Sequence, residues 1–313
     1  MLDAFDDAER GKISAHPASV LDAPALREAF RGADGVFHLA GVVEHSRSAA
    51  VTGDMSSVTV RGTVNAVSAA AAEGIRRVVY ASTSGVAAVS RADTRARPPG
   101  DGDGYADEVI AAWPYYACKA EAERAAIAAA TKRGVDLVCM RPSLLLGPGD
   151  RRLSSCRLVA DLLRRRVPLC PTGGLSFVDV RDCAGAFLSA MNQPADAPSG
   201  RTYLVGGHNV SLRELLALVE AQSGVPAPRL SVPRVVERAS AQLLYQAKGR
   251  LLGKWDKSLD AVYVEMGQAF WYLDASAAER DLGFRPRPAD VTVGDTVAWL
   301  QANWDIVDDG ALS

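Results

Sequence analysis

A chain of 313 residues with 48% apolar and 23% charged side chains is long enough for one large α/β core with a smaller appendage, and a formal charge of −2 offers no field suited to nucleic acid or acidic membranes. The five cysteines (Cys118, Cys139, Cys156, Cys170, Cys183) contain no Cys-x-x-Cys pair, and His16, His45 and His208 form no ligand spacing, so the reading is a reducing, cytoplasmic compartment and no metal. The acidic start, Met1 to Asp7, lacks the basic-then-apolar order of a secretory signal, and no run reaches the ~18 apolar residues of a spanning helix.

In chain order, a helical pattern over Pro24 to Arg31 precedes a short apolar run, Val36-Phe37-His38-Leu39-Ala40, which predicts a buried strand. An Ala-rich helix from about Val58 to Glu73 stops at Gly74, and the β-branched run Arg77 to Ser82 predicts a second buried strand. A loop rich in Pro, Gly and Asp follows from Arg91 to Asp107; its Gly100-Asp101-Gly102-Asp103-Gly104 reads as a solvated turn in preference to a cation site. A helix over Tyr115 to Lys132 stops at Gly134, and Asp136 to Met140 predicts a third strand halted by Arg141-Pro142. Strand alternating with helix at this spacing implies a parallel sheet wrapped on both faces.

Later segments are less regular. Phe177 to Val180 and Thr202 to Val205 read as short strands, and Ser211 with Glu214 forms a capping box for a helix running to Gly224. Pro194 to Gly200 reads as a loop, Val232 to Leu252 as an amphipathic lid or core helix, and Val293 to Trp304 as a final helix. The domain reading is 1–150 as a dinucleotide-binding domain and 151–313 as mainly a substrate-binding region with segments returning to the first core.

The chemistry concentrates in Tyr115-Tyr116-Ala117-Cys118-Lys119. A spacing of four puts Tyr115 and Lys119 on one helix face, where an ammonium beside the phenol would favour phenolate and make an acid/base usable near neutral pH. Ser82-Thr83-Ser84-Gly85 stands at the C-terminal end of a predicted strand, the edge at which open α/β sheets bind ligands, so a hydroxyl from this stretch, the Tyr115 phenol and the Lys119 ammonium can converge on one carbonyl or carbinol oxygen. His38, inside an apolar strand, reads as structural.

At these residues the chain resembles the extended short-chain dehydrogenases/reductases: NAD-dependent epimerases and dehydratases, dihydroflavonol-reductase-like proteins and hydroxysteroid dehydrogenases. The resemblance rests on Val36 to Gly41, Gly62-Thr63-Val64-Asn65, Val78 to Thr83, Tyr115 with Lys119, Arg141-Pro142-Ser143, Gly147-Pro148-Gly149, Phe177 to Asp182 and Leu282 to Pro286. It implies a Rossmann-like doubly wound parallel sheet with a smaller C-terminal substrate-binding region. It implies NAD or NADP as cofactor, Tyr115 as acid/base, Lys119 lowering its pKa and holding the nicotinamide ribose, and Thr83 bonding the substrate oxygen. Leu39, Ala40 and Gly41 would line the cofactor through their backbone, Pro142 and Ser143 would lie near the nicotinamide, and Val20 would join them beside Ser19, where many relatives carry an adenine-contacting aspartate. A homodimer through the Ala-rich helices is implied as well.

Departures from the family pattern sharpen the reading. The usual opening strand, glycine-rich turn and helix are not found, so the first βαβ unit is expected to be missing; a start assigned too far downstream is the favoured explanation, and the chain as given is expected to be poorly stable. Thr59 replaces a common asparagine and Cys118 a common serine. Ser84-Gly85 stands where sugar dehydratases have Asp-Glu, and Val42-Val43 where some sugar-acting members have lysine. The reading is therefore an oxidoreductase interconverting a secondary alcohol and ketone on a bulky, largely apolar small molecule, with a nucleotide-sugar epimerase and a catalytically silent dinucleotide-fold protein as alternatives.

Overall fold

A computed structural model describes residues 11–45, 49–194, 199–231 and 261–307. The amphipathic helix read over 232–252 lies outside them. The first helix, α1 (Ala23–Phe30), starts where Asp22 accepts the Ala25 N–H with Pro24 in the first turn. It leads into β1 (Gly35–His38), and then α2 (Ala49–Ser56) runs through a π-helical turn, Ser57–Arg61, into α3 (Gly62–Ala72). After β2 (Arg77–Ala81) come a short α4 (Asp107–Ile110) and the long α5 (Pro114–Arg133), with Gly134 in the left-handed region at φ 70° as its stop. Next are β3 (Asp136–Pro142), β4 (Leu144–Leu146), α6 (Arg157–Leu163), β5 (Gly174–Asp179), α7 (Val180–Met191), β6 (Arg201–Val205) and β7 (His208–Ser211). The described chain closes with α8 (Leu212–Ser223), α9 (Ala261–Gly267), β8 (Phe270–Trp271), α10 (Ser276–Leu282) and α11 (Ala289–Ala302).

The main sheet runs β1-β2-β3-β6, every pair parallel, with His38 beside Tyr80 and Tyr80 beside Cys139. Alternation divides its residues between two cores. Val78, Tyr80, Leu137 and Cys139 pack under α3 and α5, while Val79, Val138 and Met140 face α7 and α10. Burying each of these side chains contributes about 1.5–3 kcal/mol. Several alanines of α3 and α5, including Ala66, Ala70, Ala126 and Ala130, are buried within this chain, while Ala72 and Ala128 are exposed. A second sheet, β4-β5-β7 with β8 on β5, sits over the core of α6, α8 and α11. Although β6, α7 and α10 come from the C-terminal half, they complete the main core.

Several sequence readings are corrected. The strand read over 36–40 ends at His38 and is an edge: among the described residues it pairs only with β2, and Phe37 and Leu39 are 40% and 64% exposed. Pro142 does not halt β3 early; it is the last strand residue, paired with Val205, and the Ser143 N–H after it donates to the Val205 carbonyl at 2.9 Å. Val180 belongs to α7, because Asp179 accepts the Arg181 N–H and caps a helix there. In the 100–104 turn Gly102, Asp103 and Gly104 are exposed, but Asp101 turns inward. Its carboxylate accepts the Leu204 N–H at 2.9 Å and lies 3.7 Å from the buried Arg141.

Candidate active site

Proline at N1 and a 20-residue Ala-rich run make α5 start just beneath the C-terminal edge of the main sheet. Tyr115, Lys119 and Glu123 follow one another at helical spacing along its inward face. Lys119, only 5% exposed, donates to the Ala81 carbonyl at 2.6 Å and to the Tyr80 hydroxyl at 2.9 Å, and its Nζ lies 4.5 Å from the Tyr80 ring centre. Burial brings its pKa down to about 8. Glu123, fully buried, instead belongs to Arg141, which reaches it at 2.6 Å, and to the Tyr105 hydroxyl at 2.8 Å.

Tyr115 is half-buried beside Tyr116, ring centres 5.0 Å apart. Burial, helped by Cys118, pushes its phenol up to about 12. Lys119 directs its bonds to Tyr80 and Ala81, and burial acts on the Tyr115 phenol against the downward pull expected from the lysine. Thr83 stands in extended backbone just past β2 and accepts only a long 3.4 Å bond from the Gly85 N–H.

An aromatic wall continues from Tyr115. The ring of His45 lies edge-on to Tyr115 at 5.2 Å and to Tyr263 at 5.3 Å; Tyr116 contacts Trp271 at 4.9 Å; Trp271 stacks on Trp113 at 5.1 Å. The His45 Nδ1 is buried without a hydrogen-bond partner, and burial lowers the imidazole pKa. Gly85 is what admits Tyr116: a Cβ there would fall into the Tyr116 ring. Sequence reasoning missed His45 and Tyr116 as members of this wall.

The positions implied for a dinucleotide spread along the same edge. Leu39, Ala40 and Gly41 follow β1 and are exposed, while Ser143 follows Pro142 at the end of β3. Among the described residues the buried hydroxyls of Ser82 and Ser143 have no hydrogen-bond partner, so two strand ends carry polar groups that a ligand can satisfy. Val20 lies farther along, where Asn65 donates to its carbonyl at 3.1 Å and a Cβ on Gly62 would meet its Cγ2 at 2.5 Å. Asn65 and Gly62 thus hold Val20, a role that their place in the Gly62 to Asn65 motif did not reveal.

A parallel sheet wrapped on two faces, with a hydroxyl, a phenol and a buried lysine at its C-terminal edge, is the architecture of the extended short-chain dehydrogenases/reductases. The chain belongs to the NAD dependent epimerase/dehydratase family, whose model matches residues 3–206. A putative dihydroflavonol 4-reductase of Synechocystis is 31% identical over 287 residues, covering 88% of this chain and 78% of that protein. Sterol demethylase protein B of Methylococcus capsulatus is 26% identical, covering 90% of this chain and 82% of the relative. A nucleoside-diphosphate-sugar epimerase from Pseudomonas aeruginosa shares the fold with TM-score 0.74 at 22% identity, over 97% of this chain and 86% of that one. A dTDP-glucose 4,6-dehydratase from Streptomyces venezuelae, solved as a double mutant with NAD bound, aligns with TM-score 0.65 at 22% identity, over 96% and 85%. Members of this family use NAD, and the unpartnered Ser82 and Ser143 hydroxyls fit a nicotinamide cofactor at this edge.

Proposed function

We propose that the protein is an NAD(P)-dependent oxidoreductase interconverting a secondary alcohol and a ketone on a bulky, largely apolar substrate. The observation that carries this reading is the partly exposed run of His45, Tyr115, Tyr116, Tyr263 and Trp271, backed by the buried Trp113, which suits an apolar ring system and brings no lysine or arginine of its own for a nucleotide diphosphate. Gly85 supports it. A sugar dehydratase needs a carboxylate at that position, and here even a methyl group collides with Tyr116.

In this reading the substrate oxygen lies between Thr83 and Tyr115. The Thr83 oxygen accepts from the Gly85 N–H, which leaves the hydroxyl proton to donate to and orient a carbonyl oxygen. Tyr115, protonated well above neutral pH, delivers a proton to that oxygen during reduction and recovers one from solvent between turnovers. Lys119 supplies positive charge beneath the site, where it favours any negative charge that develops on the phenol. Leu39 to Gly41, Pro142 and Ser143, with Val20 at the far end, would hold NAD or NADP, which when bound supplies the hydride donor and acceptor.

Nicotinamide fluorescence with sterol, flavanonol and nucleotide-sugar panels tests this. Oxidation of NADH or NADPH with an apolar ketone is expected, and Tyr115→Phe is expected to lower kcat by about 10²–10⁴-fold. Turnover of a nucleotide sugar without net redox change would replace the proposal with epimerisation. Absence of nicotinamide binding would leave a catalytically silent dinucleotide fold.

A further inference from the structure

Lys119 is a buried ammonium whose hydrogen-bond acceptors, Tyr80 Oη and Ala81 O, are both neutral. A lysine side chain loses much rotamer freedom when fixed, so something must hold it. The Ala81 carbonyl would serve any lysine that reaches the end of β2. Tyr80 is different, because its hydroxyl depends on a buried array of side chains from two further elements.

Tyr80 is wholly buried, and its ring stacks on His38 with centres 5.6 Å apart and planes at 22°. The Thr63 hydroxyl faces the Tyr80 phenol and also lies 3.1 Å from His38 Nε2. Thr63 donates its single proton to the Thr59 carbonyl at 2.6 Å. Its oxygen must therefore receive the His38 bond, which fixes the neutral imidazole as the Nε2–H tautomer. Burial keeps that imidazole neutral, bringing its pKa down to about 4. Four residues from β1, α3, β2 and α5 thus meet in one polar cluster beneath the site.

We propose that Tyr80 is a positioning residue for Lys119: its hydroxyl, backed by Thr63 and His38, locks the ammonium so that two of its three protons are spent inside and the third is presented to the site. This rests on the role given to Lys119 above. It also gives His38 a task, since His38 ends the strand from which Leu39 to Gly41 emerge, so one cluster sets the lysine relative to that segment. The charged and titratable groups around Lys119 are Glu123 and Cys118 on α5, Cys139 on β3, Tyr80 on β2 and His38 on β1.

The test is a pH titration of lysine-selectively 13C-labelled protein, the Lys119 signal being assigned by its loss in Lys119→Arg. In Tyr80→Phe, which keeps the ring and removes the acceptor, the Lys119 midpoint is expected to fall by roughly one pH unit, and NADH affinity at pH 7.5 to fall about tenfold. An unchanged midpoint in a folded Tyr80→Phe protein overturns the proposal. If that variant does not fold, wild-type protein labelled at tyrosine 13Cζ decides the matter. The Tyr80 signal is expected to move with the Lys119 midpoint, and a flat trace overturns the assignment. Failure of wild-type protein to bind NADH would count against the oxidoreductase reading alone, because the Lys119 titration needs no cofactor.

Discussion

Lys119 and Arg141 are both buried cations at the inner face of α5, at 5% and 3% exposure, yet they are treated in opposite ways. Arg141 holds Glu123 at 2.6 Å with Asp101 3.7 Å away, and Tyr105 donates to the same carboxylate. Lys119 bonds only a phenol and a carbonyl, so burial pulls its pKa down to about 8 while that of Arg141 is raised by its partners' charge. The matched cation is a strut between α5, β3 and the Asp101 turn. The under-matched cation stores an electrostatic cost, which is what a group that must respond to a ligand requires.

The largest expected effect falls on the matched side. Glu123→Ala strands Arg141 without its main partner and is expected to cost about 3–5 kcal/mol, read as a lower urea midpoint at unchanged slope. On the other side, Lys119→Met is expected to abolish activity yet stabilise the fold by about 1–3 kcal/mol at pH 7. That gain should shrink as pH rises. The unfolded lysine keeps its proton to 10.5 and the folded one only to about 8, so wild-type stability climbs across this window as the burial penalty disappears. A Lys119→Met protein less stable than wild type at pH 7 would break the comparison.

Acid separates the two clusters by about 1–3 kcal/mol. His38 stays neutral to about 4 when folded but takes a proton near 6.5 when unfolded, so its contribution is lost as pH falls through that range. Burial of Asp101 brings its pKa up to about 6 against 3.8 unfolded, so it binds a proton first in the folded state and adds stability as pH falls from 6 to 4. The two slopes oppose each other. Asp101→Asn is expected to unmask the His38 loss as a steeper decline in urea-measured stability between pH 6.5 and 4. The smallest effect is at the surface, where Asp107→Asn removes the exposed bridge to Arg124 and is expected to change stability by less than about 1 kcal/mol.

The alternating core was legible because strand and helix periods are local. Arg77 to Ser82 and Asp136 to Met140 read as strands of one parallel sheet, and they pair in register from Arg77 with Asp136 to Ala81 with Met140. The second sheet was not legible. His208–Ser211 has no apolar alternation and is strand only because Gly174 to Phe177 lies beside it. Within the site, spacing put Tyr115 and Lys119 on one face and the resemblance supplied Thr83. The partner actually taken by Lys119 could not be read, because Tyr80 looks like one more apolar residue of a buried strand until its hydroxyl is placed beneath the lysine. Asp101 misled for the same reason: a Gly-Asp-Gly run signals solvent unless the tertiary fold brings Arg141 and the Leu204 amide to it.

At the opposite end of the sheet, Arg77 bonds the carbonyls of Ala190, Met191, Gln193 and Pro194 while its side chain also reaches Asp136 at 2.6 Å. One guanidinium thereby fastens the starts of two central strands to the exit of α7. Because this rivet lies at the strand starts, it holds the frame independently of the exposed 91–97 stretch at the strand ends. For engineering, that stretch is the place to graft new substrate contacts, while Arg77, with Asp101 and Tyr105 farther along the same loop, is to be left alone.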